Sequence, residues 1–213
     1  MSTVFPRWVN RLPFLMIFIG GGGLFGVVGF VWYYFSPWYT DVGYAPRQPV
    51  PYSHKLHAGT LGIDCRYCHT GVEVGQHATI PPTQTCMNCH TMIRPESPRL
   101  LPVRESFATG EPVEWLRVHK LPDYVRFSHQ AHVQAGVGCV ECHGRVDQME
   151  VVRQTKPLSM GWCLDCHRAP EAALRPPEMV TVMDYVATAP DEGGRLRAAG
   201  QIEPPTHCSA CHY

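Results

Sequence analysis

The sequence has no net charge, because its 18 Lys and Arg residues balance 18 Asp and Glu residues. A chain without a basic excess gives no indication of a nucleic-acid partner. Long stretches of helical or strand periodicity are also scarce after the N-terminal segment, so a layered side-chain core is not predicted. The chain of 213 residues contains ten cysteines, and none of them lies outside a Cys-x-x-Cys pair.

The cysteines form five Cys-x-x-Cys pairs, and a histidine follows each pair directly. Only 12 of the 213 residues are histidines, so chance would give this pattern roughly once in a million. Covalent haem c explains it, because the two thiols add to the haem vinyl groups and the adjacent imidazole binds the iron. Structural zinc and disulfides are the alternatives, but neither requires a histidine after every pair.

Five haem c groups are therefore predicted, one on each motif. The attachment residues are Cys65, Cys68, Cys86, Cys89, Cys139, Cys142, Cys163, Cys166, Cys208 and Cys211. The proximal iron ligands are the histidines that follow, His69, His90, His143, His167 and His212.

Residues 12–35 are apolar and include no charged side chain. As a helix this run of 24 residues would be about 36 Å long, enough to cross a bilayer with some tilt. Arg7 and Arg11 precede it, which predicts a cytoplasmic N-terminus and an exported remainder. A cleaved signal peptide is the alternative, although the run exceeds a typical signal core and no small-residue cleavage site follows. We expect residues 1–36 to be a retained anchor.

The predicted transmembrane helix is rich in glycine, with Gly22 and Gly26 in a G-x-x-x-G pair and Gly29 one turn later. Small residues on one face allow another transmembrane helix to approach closely. The alternative is a lipid-facing anchor in which the glycines have no partner. Aromatic residues suited to the far membrane interface follow: Trp32, Tyr33, Tyr34, Trp38 and Tyr39.

After a proline-rich linker over 37–51, residues 52–213 form the predicted pentahaem domain, which contains an internal repeat. Each unit, 52–90 and 127–167, starts with an aromatic-Ser-His-x-x-His element and continues with two haem motifs. The fifth motif stands alone at the C-terminal end. About 36 residues per haem are too few for a side-chain core, so the fold class is a multihaem cytochrome c of short helices and loops around stacked haems.

A second axial ligand, His or Met, is expected at each low-spin electron-transfer haem. The two His-x-x-His elements predict four of these distal ligands: His54, His57, His129 and His132. Met149 is the predicted fifth ligand, and His119 is its main competitor. His77, His207 and Met160 remain further candidates.

Long stretches around the motifs resemble the pentahaem cytochrome subunit of bacterial alternative complex III. They include H-K-L-H-A-G-T-L-G-I-D-C-R-Y-C-H, the run from Trp115 to Met149, and L-S-M-G-W-C-L-D-C-H-R-A-P from Leu158. The resemblance covers roughly residues 50–170. Residues 171–207 carry no such resemblance.

The resemblance implies an electron-transfer subunit that is not an enzyme on its own. In that complex quinol is oxidised in partner subunits, and electrons leave through cytochrome c to a periplasmic acceptor or an oxidase. Implied partners are polytopic membrane proteins, an iron–sulfur subunit, a monohaem cytochrome c and a soluble cytochrome c or copper protein. The chain would lie in the inner membrane with its haem domain in the periplasm.

Two other functions fit the motifs. A reductase, for nitrite or hydroxylamine, would need one haem with an open iron position, which the surplus of candidate ligands disfavours. A membrane-anchored quinol dehydrogenase that feeds a separate reductase is the second.

Overall fold

The computed structural model describes residues 5–213, so the first four residues of the predicted anchor lie outside the described residues. The chain divides into two compact units, Met1–Asp41 and Val42–Tyr213. The first contains the apolar helix and the second contains all five haem motifs. Within the described residues there is no β-strand, and only two isolated bridges, Val125 with His212 and Val137 with Leu174, join extended segments.

The first unit is built on one long helix, α1 (Leu12–Tyr34), which follows a 3₁₀ turn, Arg7–Arg11. A proline in the first turn of α1 needs no hydrogen-bond partner there, and a short helix, α2 (Pro37–Thr40), follows. Every large apolar side chain of α1 is exposed, and the helix is long and apolar enough to cross a membrane. The first unit therefore provides a candidate membrane span, as the sequence predicts.

Aromatic rings cluster where α1 ends. The Tyr34 ring lies 4.3 Å from Phe30 and 4.4 Å from Tyr39, measured between ring centres. Tyrosine rings at a helix end suit the membrane–water interface, because one edge is apolar and the hydroxyl is polar.

The haem unit consists of short helices joined by loops. Its α-helices are α3 (Cys65–Cys68), α4 (Thr83–His90), α5 (Leu101–Thr109), α6 (His129–Gln134), α7 (Cys139–His143), α8 (Met160–Arg168), α9 (Glu192–Ala199) and α10 (Cys208–Cys211). A π-helical segment spans Lys55–Thr60, and 3₁₀ turns span Pro98–Leu100, Val146–Gln148, Pro170–Ala173 and Pro177–Met179.

Local signals start and stop the motif helices. The Asp64 carboxylate accepts the Arg66 main-chain N–H at 2.8 Å and caps α3, and Ser159 caps α8 in the same way. Gly144 ends α7 with a φ of 67°, a conformation that favours glycine. A Cβ there would also lie 2.7 Å from the Thr155 hydroxyl. Each motif thus presents its cysteines and histidine on little more than one helical turn.

The side-chain core of the haem unit is small. Its one cluster of buried residues joins Val50, Met87 and Val103, with Trp115 and Leu100 packed against it. The unit has seven buried hydrophobic residues in all, and so few cannot offset the conformational entropy of ordering the unit, which costs roughly 1 kcal/mol or more per residue. The haem unit must therefore bury much of its apolar surface against something other than its own side chains.

The predicted linker over 37–51 is divided between the two units. Residues Pro37–Thr40 are helical and belong to the first unit, whereas the segment from Val42 belongs to the haem unit. Gly43 donates its N–H to the Gln154 carbonyl at 2.8 Å, and the Gln48 side chain bonds both main-chain groups of Leu116. Proline-rich composition predicts the lack of helix and strand here, but it does not predict these long-range hydrogen bonds.

Residues 170–182, which lie at the end of the stretch that resembles the pentahaem subunit and beyond it, pack against the third haem motif. Main-chain N–H groups of Gly138 and Cys139 bond the carbonyls of Ala173 and Val180. Arg175 is only 4% exposed, and its guanidinium donates to Glu141 Oε1 at 2.5 Å and to the Val182 carbonyl. This segment therefore holds α7 in place.

We predict that Arg175→Met destabilises the haem-loaded protein by about 2 to 3 kcal/mol, because it leaves the Glu141 carboxylate partly buried without its cation. Denaturant unfolding followed by the haem absorbance measures the change. Arg168→Met is the matched control, since the Arg168–Asp165 pair is largely exposed and should cost less than about 0.5 kcal/mol. Equal stability of the two variants would show that the buried pair does not hold α7.

Candidate haem-binding sites

Four of the five motif histidines face a second histidine across a gap of similar width. The ring centres are 6.5 Å apart for His54 and His69 and 6.3 Å apart for His57 and His90. The second repeat unit gives 6.4 Å for His129 with His143 and 6.0 Å for His132 with His167. The four partner histidines are those of the two His-x-x-His elements, whereas the pairing itself is not predicted from the sequence.

The gap has the width that one metal ion between two imidazoles requires. With metal–nitrogen bonds of about 2 Å and about 1.1 Å from each nitrogen to its ring centre, ring centres lie about 6 Å apart. The His54 and His69 rings are also nearly parallel, at 3°, and the His129 and His143 rings are at 12°. The residues present therefore fit haem iron at four sites.

Hydrogen bonds at Nδ1 orient six of these eight rings. The Nδ1 atoms of His57, His69, His90, His129, His132 and His167 lie 2.7–2.9 Å from main-chain carbonyl oxygens. A donor at Nδ1 fixes the neutral tautomer whose Nε2 lone pair is free, which is the form that binds metal. Of the carbonyls, those of Ser53 and Ser128 belong to the two repeat elements, and the others come from loops.

The aromatic residue that begins each repeat element makes the same ring contacts with the two histidines of that element in both units. The Tyr52 ring is edge-on to His54 at 4.8 Å and stacks on His57 at 4.4 Å. Phe127 is edge-on to His129 at 4.8 Å and stacks on its second histidine at 4.7 Å. The internal repeat in the sequence is thus also a repeat in geometry, although residues after His54 are π-helical and those from His129 are α-helical.

Burial keeps imidazoles of these sites neutral. It lowers the pKa of His54 to about 4, and the neighbouring His69 and His57 lower it further. The pKa of His143 falls to about 3, mainly through burial and then through His119 and His129. Because only a neutral imidazole offers its lone pair to a metal, these sites are ready to bind iron at physiological pH.

The cysteines and the remaining acidic groups do not suggest a different metal. All ten cysteines are unpaired thiols. Within residues 5–213, no three His, Cys, Asp or Glu side chains converge into a group that could hold a metal ion alone. Structural zinc would need such a group, so paired thiols beside facing imidazoles fit covalent haem better.

The fifth motif is arranged differently. Its helix, α10, is tied to the segment before the second repeat element, because Arg126 donates its N–H to the Cys211 carbonyl at 2.8 Å. The ring beside His212 is that of Tyr124, with centres 5.8 Å apart and planes at 28°. Arg126 in turn lies over the Tyr213 ring at 4.4 Å.

Neither main candidate for the fifth distal ligand lies at this motif. Met149 is buried, its carbonyl accepts the Lys55 N–H at 3.0 Å, and the preceding turn packs on Lys55–Thr60. It therefore lies beside the first His-x-x-His element, which serves the first and second motifs. Met149 as the distal ligand of the one unassigned iron therefore stays a prediction.

His119 lies at the third site. Its ring centre is 4.4 Å from that of His143, at 79°, and its buried Nε2 has no hydrogen-bond partner in the described part of the chain. Burial, and then His129, lower its pKa to about 4. His77, His207 and Met160 are exposed.

Two features of the sites escape sequence reasoning. Loop carbonyls that orient the imidazoles, such as those of Thr79 and Pro205, have no side-chain signature in the sequence. Tyr124 could have been noticed as an aromatic residue just before the second repeat element, but nothing in its spacing points to the fifth motif. These contacts depend on tertiary structure.

Comparison with known proteins agrees with the motifs. Residues 125–213, which contain the third, fourth and fifth motifs, match the family model described as cytochrome c7 and related cytochrome c. Over 100 residues the chain is 39% identical to the menaquinone reductase multihaem cytochrome c subunit of Nitratidesulfovibrio vulgaris. That alignment covers 46% of each protein, so it spans less than half of that relative. Both matches support a multihaem cytochrome c with covalent haem, over the residues that they cover.

We predict that His54→Ala opens one iron position at the first site. The ferric protein should gain one high-spin haem in its electron paramagnetic resonance spectrum, and the ferrous protein should bind one more equivalent of carbon monoxide. His77→Ala, which removes an exposed histidine, is the control and should leave both unchanged. Intact mass should show five haem additions in both variants, since all cysteine pairs remain. An unchanged spectrum for His54→Ala would rule out this histidine as a ligand.

Proposed function

We propose that this chain is the electron-transfer subunit of a membrane-bound quinone oxidoreductase, that it carries five haem c groups, and that it is not an enzyme alone. The observation that carries the proposal is the set of four facing imidazole pairs beside thiol pairs. Haem c, when bound, supplies a one-electron couple at its iron. The chain's own residues hold the iron from both faces and fix the imidazole orientation through main-chain carbonyls.

Filled axial positions favour electron transfer over catalysis at the iron. At four motifs the two imidazoles of each pair would hold an iron from both sides, which would leave no position for a substrate. A reductase that works at one of these four sites would have to lose a ligand first. The residues thus suit transfer of electrons between partners.

The first candidate is quinol oxidation in a complex of the alternative complex III type. It is supported by the resemblance of residues 50–170 to the pentahaem subunit and by the candidate membrane span in α1. Quinol would be oxidised in polytopic partner subunits, and this chain would pass electrons towards a cytochrome c, a copper protein or an oxidase. An iron–sulfur subunit and a monohaem cytochrome c are the other proposed partners.

In the second candidate function, electrons flow in the opposite direction, towards the quinone. It is favoured by the relative in Nitratidesulfovibrio vulgaris. The name of that relative states menaquinone reductase, so a related chain serves electron delivery to a quinone. The same haem-binding residues would serve either direction. Both candidates place the chain beside quinone-reactive membrane subunits.

The proposed location is the inner membrane, with one membrane span and the haem unit outside the cytoplasm. Arg7 and Arg11 precede α1, and positive residues stay on the cytoplasmic side. Glycines of α1 provide a face for a partner helix, since a Cβ on Gly22 or Gly26 would meet nothing within 4 Å in this chain.

We predict that protease added to inverted membrane vesicles leaves the haem unit intact, and that protease added to spheroplasts digests it. The reason is the asymmetry of positive charge around α1. Haem-stained gels of both preparations measure the outcome. Digestion in the inverted vesicles would mean the opposite orientation.

We predict that menaquinol reduces the haems of the complex purified in mild detergent but not those of the isolated chain at a comparable rate. Gly22→Leu with Gly26→Leu should abolish copurification of membrane partners and slow haem reduction at least tenfold, because two leucines block close helix approach. Val27→Leu with Val31→Leu, on the opposite face of α1, is the matched control and should retain both.

The absorbance of the reduced haems measures the rate, and mass spectrometry identifies the partners. Oxidation of pre-reduced haems by menaquinone, with no reduction by menaquinol, would favour the second candidate. Rapid menaquinol oxidation by the isolated chain would contradict the proposal.

A further inference from the structure

We infer that the five haem-binding sites form one unbranched row in the order second, first, third, fourth, fifth motif, and that the two ends of the row are its exposed sites. This rests on the proposed function only in that haem is bound at each motif. The row inverts the first two motifs relative to their order in the chain.

Two links of the row come from the repeat elements. His54 and His57, three residues apart, face the first and second motif histidines, so these two sites are neighbours. The Asn88 side chain in the second motif also donates to the Tyr67 hydroxyl in the first motif at 3.2 Å. His129 and His132 link the third and fourth motifs in the same way.

The two repeat units meet at the first and third motifs. The hydroxyl of Thr181 donates to the Asp64 carboxylate at 2.9 Å, and the adjacent Val180 carbonyl accepts the Cys139 N–H at the same distance. The chain from 180 to 181 therefore bridges the two motif helices.

A second contact joins these sites on the distal side. The Gln76 carbonyl, in the loop after the first motif, accepts both the main-chain N–H and the Nδ1–H of His129. His129 is the distal partner of the third motif. The first and third sites are thus joined at their motif helices and at the distal partner of the third site.

The fourth and fifth motifs are linked through the chain that precedes α10. His167 Nδ1 donates to the Pro205 carbonyl at 2.7 Å, three residues before Cys208. The fifth site therefore continues the row from the fourth.

Exposure of the cysteines agrees with this order. Cys89 of the second motif and Cys208 of the fifth are exposed, whereas every other motif cysteine is partly buried. The exposed cysteines thus belong to the two ends that the contacts assign independently. An electron partner can approach the second or the fifth motif, while the first, third and fourth lie between them.

The order can be tested on the complete haem-loaded chain in detergent by nuclear magnetic resonance of the ferrous state. Carbon monoxide is added so that any open iron also becomes diamagnetic. Each haem is assigned through its thioether protons to its own cysteines. We expect nuclear Overhauser contacts between haems two and one, one and three, three and four, and four and five. A contact between any other pair, or a missing contact between one and three, would overturn the row.

Removal of a terminal haem gives a second measurement. Cys86→Ala with Cys89→Ala should remove one haem and shift the midpoint potential of the first site alone. Cys208→Ala with Cys211→Ala should shift that of the fourth site alone. Cys139→Ala with Cys142→Ala is the interior comparison and should shift two sites, the first and the fourth.

Shifts of the midpoint potential at two or more sites after removal of either terminal haem would contradict the order. If a variant does not fold, the nuclear Overhauser contacts in the unmodified chain decide. Neither measurement needs a partner or a quinone. The row can therefore stand while the quinone-linked function fails, or fail while that function stands.

Discussion

The structure of the haem unit depends on hydrogen bonds between imidazole Nδ1 atoms and main-chain carbonyls. Each bond turns Nε2 towards a gap of about 6 Å and so keeps two rings at the spacing of one metal ion. Without this hydrogen bond the imidazole would lose its orientation, because a histidine side chain can rotate about its two side-chain bonds. The loops that supply the carbonyls are therefore as much a part of each site as the histidines.

The same gaps explain why so little of the unit packs on itself. Helices of four to nine residues cannot form an amphipathic stripe, and their motif face is occupied by cysteines and histidine. Four gaps between facing rings need flat apolar groups to fill the space around them. We therefore expect cofactor attachment and folding to be coupled, since only seven hydrophobic residues of the unit are buried.

Motif spacing predicts much of this arrangement, because adjacent residues carry the chemistry. Two cysteines and a histidine within five residues are typical of a haem attachment site, and His54 and His57, on one turn, face the histidines of two neighbouring motifs. The predicted membrane helix over 12–35 agrees closely with α1, since composition and length alone determine a span.

The sequence does not predict the placement of loops that long-range contacts determine. The loop that carries Met149 is long enough to reach a neighbouring haem motif, but its length does not show which one, and packing against Lys55–Thr60 places it beside the first His-x-x-His element. Arg175 and the segment around it showed no periodicity, yet they hold the third motif helix. Sequence distance gives only the reach of a loop, whereas its direction depends on hydrogen bonds between residues far apart, such as that from Gly138 to Ala173.

Direction of electron flow does not follow from four sites that offer the same pair of imidazole ligands. Where two imidazoles bind each iron, the reduction potentials differ through burial and through hydrogen bonds to the ligands. A row with both ends exposed is therefore symmetric in access, and its partners determine which end receives electrons. The resemblance to a quinol-oxidising complex and the 39% identity to a menaquinone reductase subunit are therefore compatible, because the same haem-binding residues would serve either direction.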